Sequence, residues 1–281
     1  MDKSSFSSRQ TTLPLQAINL KNVQISFALA NGERFDAVAQ SNLQVAENEF
    51  VAIVGPTGCG KSTLLNAVAG LLVPASGSVE IEGQPLRGLN RKAGYLFQQD
   101  ALMPWKTVLE NVAIGLEVAG TAKADARAQA EQWLSKVGLA NFGDRYPHML
   151  SGGQRKRVGL AQVLIRNPKY LLMDEPFGPL DAQTRVIMGD LLLDLWSQDK
   201  KAVMFVTHDL EEAIALADRV VIMSAGPRAR IMAEYIIPLK RPREISEIRL
   251  HDAFHDIHRE IWNALKDEVL KAYQQTSGAS S

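Results

Sequence analysis

Short apolar runs bounded by glycine or polar residues recur along the chain, and their periodicity switches between strand and helix. Phe50-Val51-Ala52-Ile53-Val54, Tyr170-Leu171-Leu172-Met173, Ala202-Val203-Met204-Phe205-Val206 and Arg219-Val220-Val221-Ile222-Met223 are near-continuous apolar segments of strand length. Strands of this kind are buried on both faces. Helical patterning separates them, which predicts a parallel sheet covered by helices on both sides. Ile18 to Phe27 and Asn42-Leu43-Gln44-Val45 alternate apolar and polar, as half-buried strands do. Gly77 to Gly83 reads as a glycine-bounded strand, and Ala93 to Gln98 as another. Residues 107 to 140 turn helical and charged, with Gly138 as a stop after Ala122 to Val137. After Pro238, Lys240-Arg241-Pro242-Arg243 reads as a basic, proline-broken linker. Beyond it Phe254, Ile257, Ile261, Leu265 and Val269 recur at helical spacing, which predicts an amphipathic C-terminal helix.

The first apolar run leads into Gly55-Pro56-Thr57-Gly58-Cys59-Gly60-Lys61-Ser62, a phosphate-loop sequence followed by Thr63 and a helix ending at Gly70. The glycines let the backbone curl so that successive N–H groups form an anion nest. The following helix adds the positive end of its dipole. Lys61 offers a point charge to β- and γ-phosphates, and Ser62 a hydroxyl for Mg²⁺. Cys59 reads either as a thiol whose pKa the helix dipole lowers or as a small residue that fits a tight loop.

The strand Tyr170 to Met173 ends in Asp174-Glu175. Asp174 has the place of a second Mg²⁺ ligand, and Glu175 that of a general base for an attacking water. Between the two motifs lies Leu150-Ser151-Gly152-Gly153-Gln154, after which helical patterning resumes; Ser151 reads as an N-cap and the glycines free N–H groups at the helix start.

Together these segments resemble the ATP-binding cassette of ABC transporters over roughly residues 16–240. Leu150 to Gln154 matches that family's signature peptide. The resemblance makes Gln98 the Q-loop glutamine, a candidate for orienting water or Mg²⁺. It makes Asp181, after Gly178-Pro179-Leu180, the D-loop aspartate, and His208, between Thr207 and Asp209, the switch histidine. Phe27 stands where the family has an aromatic that stacks on adenine; its alternative is a core phenylalanine. Two positions depart from the pattern, Gly178-Pro179 before Leu180 and Gln162 in the helix after the signature. The fold implied is α/β: a phosphate-loop (RecA-like) core, an antiparallel β subdomain and a helical signature subdomain at about 100–160. The implied organisation is a disordered tail 1–14, a nucleotide-binding domain 15–240 and a helical extension 241–281. Two copies are expected to close head to tail on two ATP. Each ATP, with Mg²⁺, is held by Gly55 to Thr63 of one copy and by Ser151, Gly153 and Gln154 of the other.

Gln98 to Trp105 and the tail after Lys240 resemble the nitrate/sulfonate/taurine importer branch, which works through a separate membrane permease and a solute-binding protein. Met103-Pro104-Trp105 is then a docking surface, or else Trp105 is buried in the helical lobe. The composition agrees with such a subunit. Lys plus Arg and Asp plus Glu number 31 each, which argues against a nucleic-acid binder. One cysteine in 281 residues precludes an internal disulfide and suits a reducing compartment. The N-terminus has no signal-peptide core, and no run approaches the ~18 apolar residues of a membrane span. The expected location is therefore the cytoplasmic face of the inner membrane, held through the permease. Two alternatives are a non-transport ABC ATPase, in DNA repair or translation, and a cassette that binds ATP without hydrolysing it. The former carries coiled coils, zinc motifs or a second cassette, none of which is seen here; Glu175 and His208 argue against the latter. His251, His255 and His258 fall on one helical face, with a metal site or a partly exposed face as the two readings.

Overall fold

In the computed structural model, residues 16–30 and 32–278 are described; the expected tail 1–14 lies outside them. The strands are β1 (Gln16–Ala28), β2 (Arg34–Ala46), β3 (Phe50–Val54), β4 (Ser76–Ile81) and β5 (Gln84–Pro85), followed by β6 (Ala93–Leu96), β7 (Tyr170–Asp174), β8 (Ala202–Val206), β9 (Arg219–Met223) and β10 (Ile231–Ile236). The helices are α1 (Lys61–Ala69), α2 (Val108–Val118), α3 (Lys123–Lys136), α4 (Gly152–Leu164), α5 (Ala182–Gln198), α6 (Leu210–Leu216), α7 (Ile245–Ile248) and α8 (Asp252–Gly278).

The apolar runs form one sheet of order β10-β9-β3-β8-β7-β6, parallel throughout except for β10. Every residue of β3 and β8 is buried. Alternate β3 side chains point to opposite faces. Phe50, Ala52 and Val54 pack with α5, α6 and α8, whereas Val51 and Ile53 pack with α1 and the second sheet. That second sheet is antiparallel, in the order β2-β1-β4-β5. A third apolar cluster joins α2, α3 and α4 into a helical lobe. The architecture is the expected α/β core with an antiparallel sheet and helices.

Two elements differ from the sequence reading. The sheet carries an antiparallel edge, β10, whose residues alternate strictly between half-buried and exposed, one face of the edge strand being wet; Met232 and Ile236 on the exposed positions hide that period in the sequence. The segment read as a linker is also bound to the core. The Arg243 guanidinium is buried and donates to the carbonyls of Ile214, Ala215, Ala217 and Leu239, so it closes the C-terminal end of α6.

Candidate active site

Four loops at the carboxyl ends of β3, β6, β7 and β8 converge, the edge at which parallel sheets place their sites. The loop after β3 takes positive φ at Gly58 (78°) and Gly60 (93°), conformations open to glycine. Gly55 is required for space: a methyl there would stand 2.9 Å from the Met223 carbonyl oxygen. Gly60 precedes α1 without a side-chain cap, so the first amides of α1 have no protein acceptor from a capping side chain. Lys61 is 5% exposed, and its Nζ donates to the carbonyls of Gly55 (2.8 Å) and Pro56 (3.0 Å). Among the described residues it forms no ion pair. A buried ammonium among neutral acceptors, beside uncapped amides, suits a polyanion. Cys59 is fully buried, and burial pushes its thiol up, which corrects the expected dipole effect and leaves the tight-fit reading.

Ser62 Oγ donates to Asp174 Oδ1 at 2.7 Å. Burial pushes the Asp174 carboxyl above its ordinary value; the Ser62 bond and the Lys61 charge oppose this, and the Glu175 charge adds to it. A hydroxyl and a half-buried carboxylate with a second acid alongside form an oxygen donor set that fits a hard divalent cation. Glu175 itself takes φ 42°, a left-handed backbone rare for a non-glycine residue and strained. Its Oε2 accepts from Gln98 Nε2 (3.2 Å) and meets His208 Nδ1 (3.0 Å). The structure thus brings Lys61, Ser62, Gln98, Asp174, Glu175 and His208 into one linked set.

Ser151, Gly153, Gln154 and Asp181 stand apart from it. Ser151 caps α4 in a reciprocal box: its Oγ accepts from Gln154 N at 3.3 Å, and its own N–H donates to Gln154 Oε1 at 2.9 Å. Asp181 caps α5 through Thr184. Gly153 is needed where α4 crosses Thr184, because a methyl there would stand 2.6 Å from Thr184 Cγ2. Among the described residues no hydrogen bond or ion pair joins these groups to the phosphate loop. Phe27 is half-exposed and lies opposite Phe35 on β2, so it is not core. His251 immediately precedes α8, and among the described residues His251, His255 and His258 belong to no group of side chains that could hold a metal ion.

Several residues beside the site escape a motif search. Asp100 pairs with Arg155 and Lys156, and Lys156 Nζ also donates to the Gln98 carbonyl, which ties the start of α4 to the Gln98 loop. Asn111, fully buried, exchanges four hydrogen bonds with Met103, Lys106 and Thr107. The turn it fixes presents Trp105 at 73% exposure, so Trp105 is a surface residue. A polar residue in the apolar run of α2 was the available signal for Asn111.

A family model described as ABC transporter matches residues 38–178. An uncharacterised ABC transporter ATP-binding protein of Methanocaldococcus jannaschii is 47% identical over 242 residues, 86% of this chain and 89% of that one. The chain belongs to the ABC transporter family. It is an ATP-binding cassette ATPase of that family. The taurine import ATP-binding protein TauB of Pseudomonas aeruginosa is 44% identical over 257 residues, 91% of this chain and 97% of that protein. A dimeric ATP-binding cassette, solved in a post-hydrolysis state bound to ADP and Pi, superposes with a TM-score of 0.70 at 33% identity, covering 79% of this chain and all of the other. Among the described residues of this ABC cassette no helix is long and apolar enough to cross a membrane.

Proposed function

We propose that this cassette powers an importer. It works as a homodimer at the cytoplasmic face of the membrane, beneath a separate permease fed by a solute-binding protein, and drives uptake of a small solute of the nitrate, sulfonate or taurine type. The observation that carries the ATPase half is the linked set around Glu175. The importer half is supported by relatives named for taurine import at 38–44% identity and by the exposed Trp105 on its fixed turn.

In this reading the amides of Gly58 to Thr63 and the Lys61 ammonium hold the phosphates. Ser62, Asp174 and Gln98 would hold Mg²⁺, which when bound neutralises charge on the β- and γ-phosphates. Gln98 and His208 fix Oε2 of Glu175, and neither bond uses Oε1. Glu175 then accepts a proton from the attacking water as its oxygen bonds to the γ-phosphorus and the bond to the β-bridging oxygen breaks. Ser151, Gly153, Gln154 and Asp181 act on the nucleotide of the second copy. Phe27 supplies one face for the base.

The importer reading is tested by Trp105→Glu. Burying an unpaired charge in an interface costs several kcal/mol. The variant should fold and hydrolyse ATP alone, yet lose copurification with the permease and lose solute uptake. Normal uptake by the folded variant would place docking elsewhere.

A further inference from the structure

The apolar stripe of α8 breaks before its end. Phe254, Ile261 and Leu265 are buried and Ile257 is half-buried, but Val269 is 36% exposed; the buried position after Leu265 is Glu268, at 5%. A leucine there would continue the stripe at no electrostatic cost, so a buried carboxylate needs partners. Glu268 has two. Oε1 accepts from Lys271 Nζ, and Oε2 accepts from the backbone N–H of Ala225 at 2.8 Å. The Lys271 bond, joined by the Ala225 amide, holds the carboxyl below its ordinary value against burial.

Ala225 lies in the strap 224–230 between β9 and β10, and this strap runs behind the phosphate loop. A methyl on Gly226 would stand 3.4 Å from the Gly58 carbonyl oxygen and 3.7 Å from Cys59 Cα, so the two backbones are in contact. Farther on, Arg228 N donates to Asp36 O (2.8 Å), Ala229 N to Ala37 O (3.2 Å), and Ala39 N to Ala229 O (2.8 Å). The strap is thereby sewn to β2, where Val38 closes on Gly60: a methyl on that glycine would stand 2.8 Å from Val38 Cγ2. One end of the strap is fixed by β2 and the other by Glu268.

We propose that Glu268 is a positioning residue for the nucleotide. From the C-terminal helix it anchors the strap, and the strap sets the backbone that presents the phosphate-loop amides. The inference rests on the reading that Gly55 to Thr63 binds the phosphates of ATP. Loosening the strap disperses those amides and weakens ATP binding. Glu175, Gln98 and His208 follow other strands and keep their geometry, so turnover of bound ATP is spared. A general folding defect does not produce that division.

The test uses the full chain and four further variants. Glu268→Met fills the space without an acceptor, and Glu268→Gln keeps an acceptor oxygen for the Ala225 amide. Leu265→Ala removes packing from the same helix. Steady-state ATPase assays should show KM for ATP raised about tenfold in Glu268→Met, the loss of one charge-assisted hydrogen bond, with kcat within about twofold. Glu268→Gln should recover most of the loss. Leu265→Ala should lower the melting temperature and leave KM alone. Amide exchange at 57–60 and at Ala225 should quicken in Glu268→Met, and in the wild-type chain ATP should slow both. A wild-type KM in Glu268→Met, equal changes in KM from Leu265→Ala, or an Ala225 amide indifferent to ATP in the wild-type chain each overturns the inference. Lys61→Ala separates the two levels: if it binds ATP normally the site reading itself fails, whereas its loss of binding beside a normal Glu268→Met condemns the Glu268 role alone.

Discussion

Two glycine-rich loops start helices in this chain, and they are built in opposite ways. Before α1 the turn ends in Gly60 with no capping side chain, and the adjacent Lys61 is buried among carbonyls. Before α4 the turn ends in Ser151, whose hydroxyl and amide close a reciprocal box with Gln154. The first helix start leaves its donors to a ligand, and its own chain surrounds it with Asp174, Glu175, Gln98 and His208. The second meets part of its demand within itself and faces solvent, and among the described residues no hydrogen bond or ion pair joins Ser151, Gly153 or Gln154 to the phosphate loop. A helix N-terminus attracts anions in both cases, but only the first has a centre around it. On the proposed reading, the difference teaches that one copy gathers the groups that cut a phosphate, while the groups that would enclose it stand on the second copy. On the proposed reading the signature loop acts on the nucleotide of the second copy.

The largest expected effect falls on the first loop's surroundings. Glu175→Gln keeps the shape and the partners of Oε2 but cannot take a proton from water. Phosphate release should fall by at least ~10²-fold, while ATP binding persists and a stable ATP-bound dimer accumulates. Rapid-mixing and size-exclusion measurements check the two halves. Near-normal release would remove Glu175 from the role and leave the contrast between the loops without its catalytic side.

The contrast was unevenly legible in the sequence. The phosphate loop, the Asp174-Glu175 strand end and the Ser151 cap are local, because each depends on residues a few positions apart and on the switch from strand to helix period. So is the parallel sheet, whose strands carry no polar face to blur them. What the sequence hid depends on distant pairs. Lys156 looks like a solvated helix lysine until Asp100 and the Gln98 carbonyl are seen beside it. Val269 fits the period of α8, yet the helix turns so that Glu268 is buried instead. Nothing local shows that the basic Arg243 enters the core, because its acceptors are carbonyls at the end of α6.

A second, smaller effect tests the outward-facing loop. Ser151→Arg and Lys61→Ala subunits should each be inactive alone. A mixed dimer has one site with both defects and one with neither if Ser151 serves the partner's nucleotide. Mixing should then restore up to about half of the wild-type rate per mixed dimer, provided one intact site turns over; each dimer carries one such site. Mass-resolved dimers that form and stay inactive would mean that Ser151 acts on its own phosphate loop, or that the sites fire only together. A mixture of Ser151→Arg with itself fixes the baseline.

The smallest effect lies behind the first loop, at a third helix start. Asp209 caps α6 by accepting from Glu212 N, and Thr207, next to His208, donates to Glu212 Oε2. Glu212 is buried, and burial lifts its carboxyl from an ordinary 4.5 to about 7, with the Asp209 charge adding and Arg185 and Arg249 opposing. In the unfolded chain the acid releases its proton as pH rises past its ordinary value; in the folded chain it does so only near 7. Between those two values the native state holds a proton that the unfolded state has lost, so stability declines as pH rises through this window and levels off above it. Glu212→Gln fixes the neutral form and removes the decline. Melting curves from pH 5 to 8.5 should run together at the acidic end and separate by a few degrees at the alkaline end, with the variant the more stable. Parallel curves for the two proteins would show that Glu212 does not titrate there.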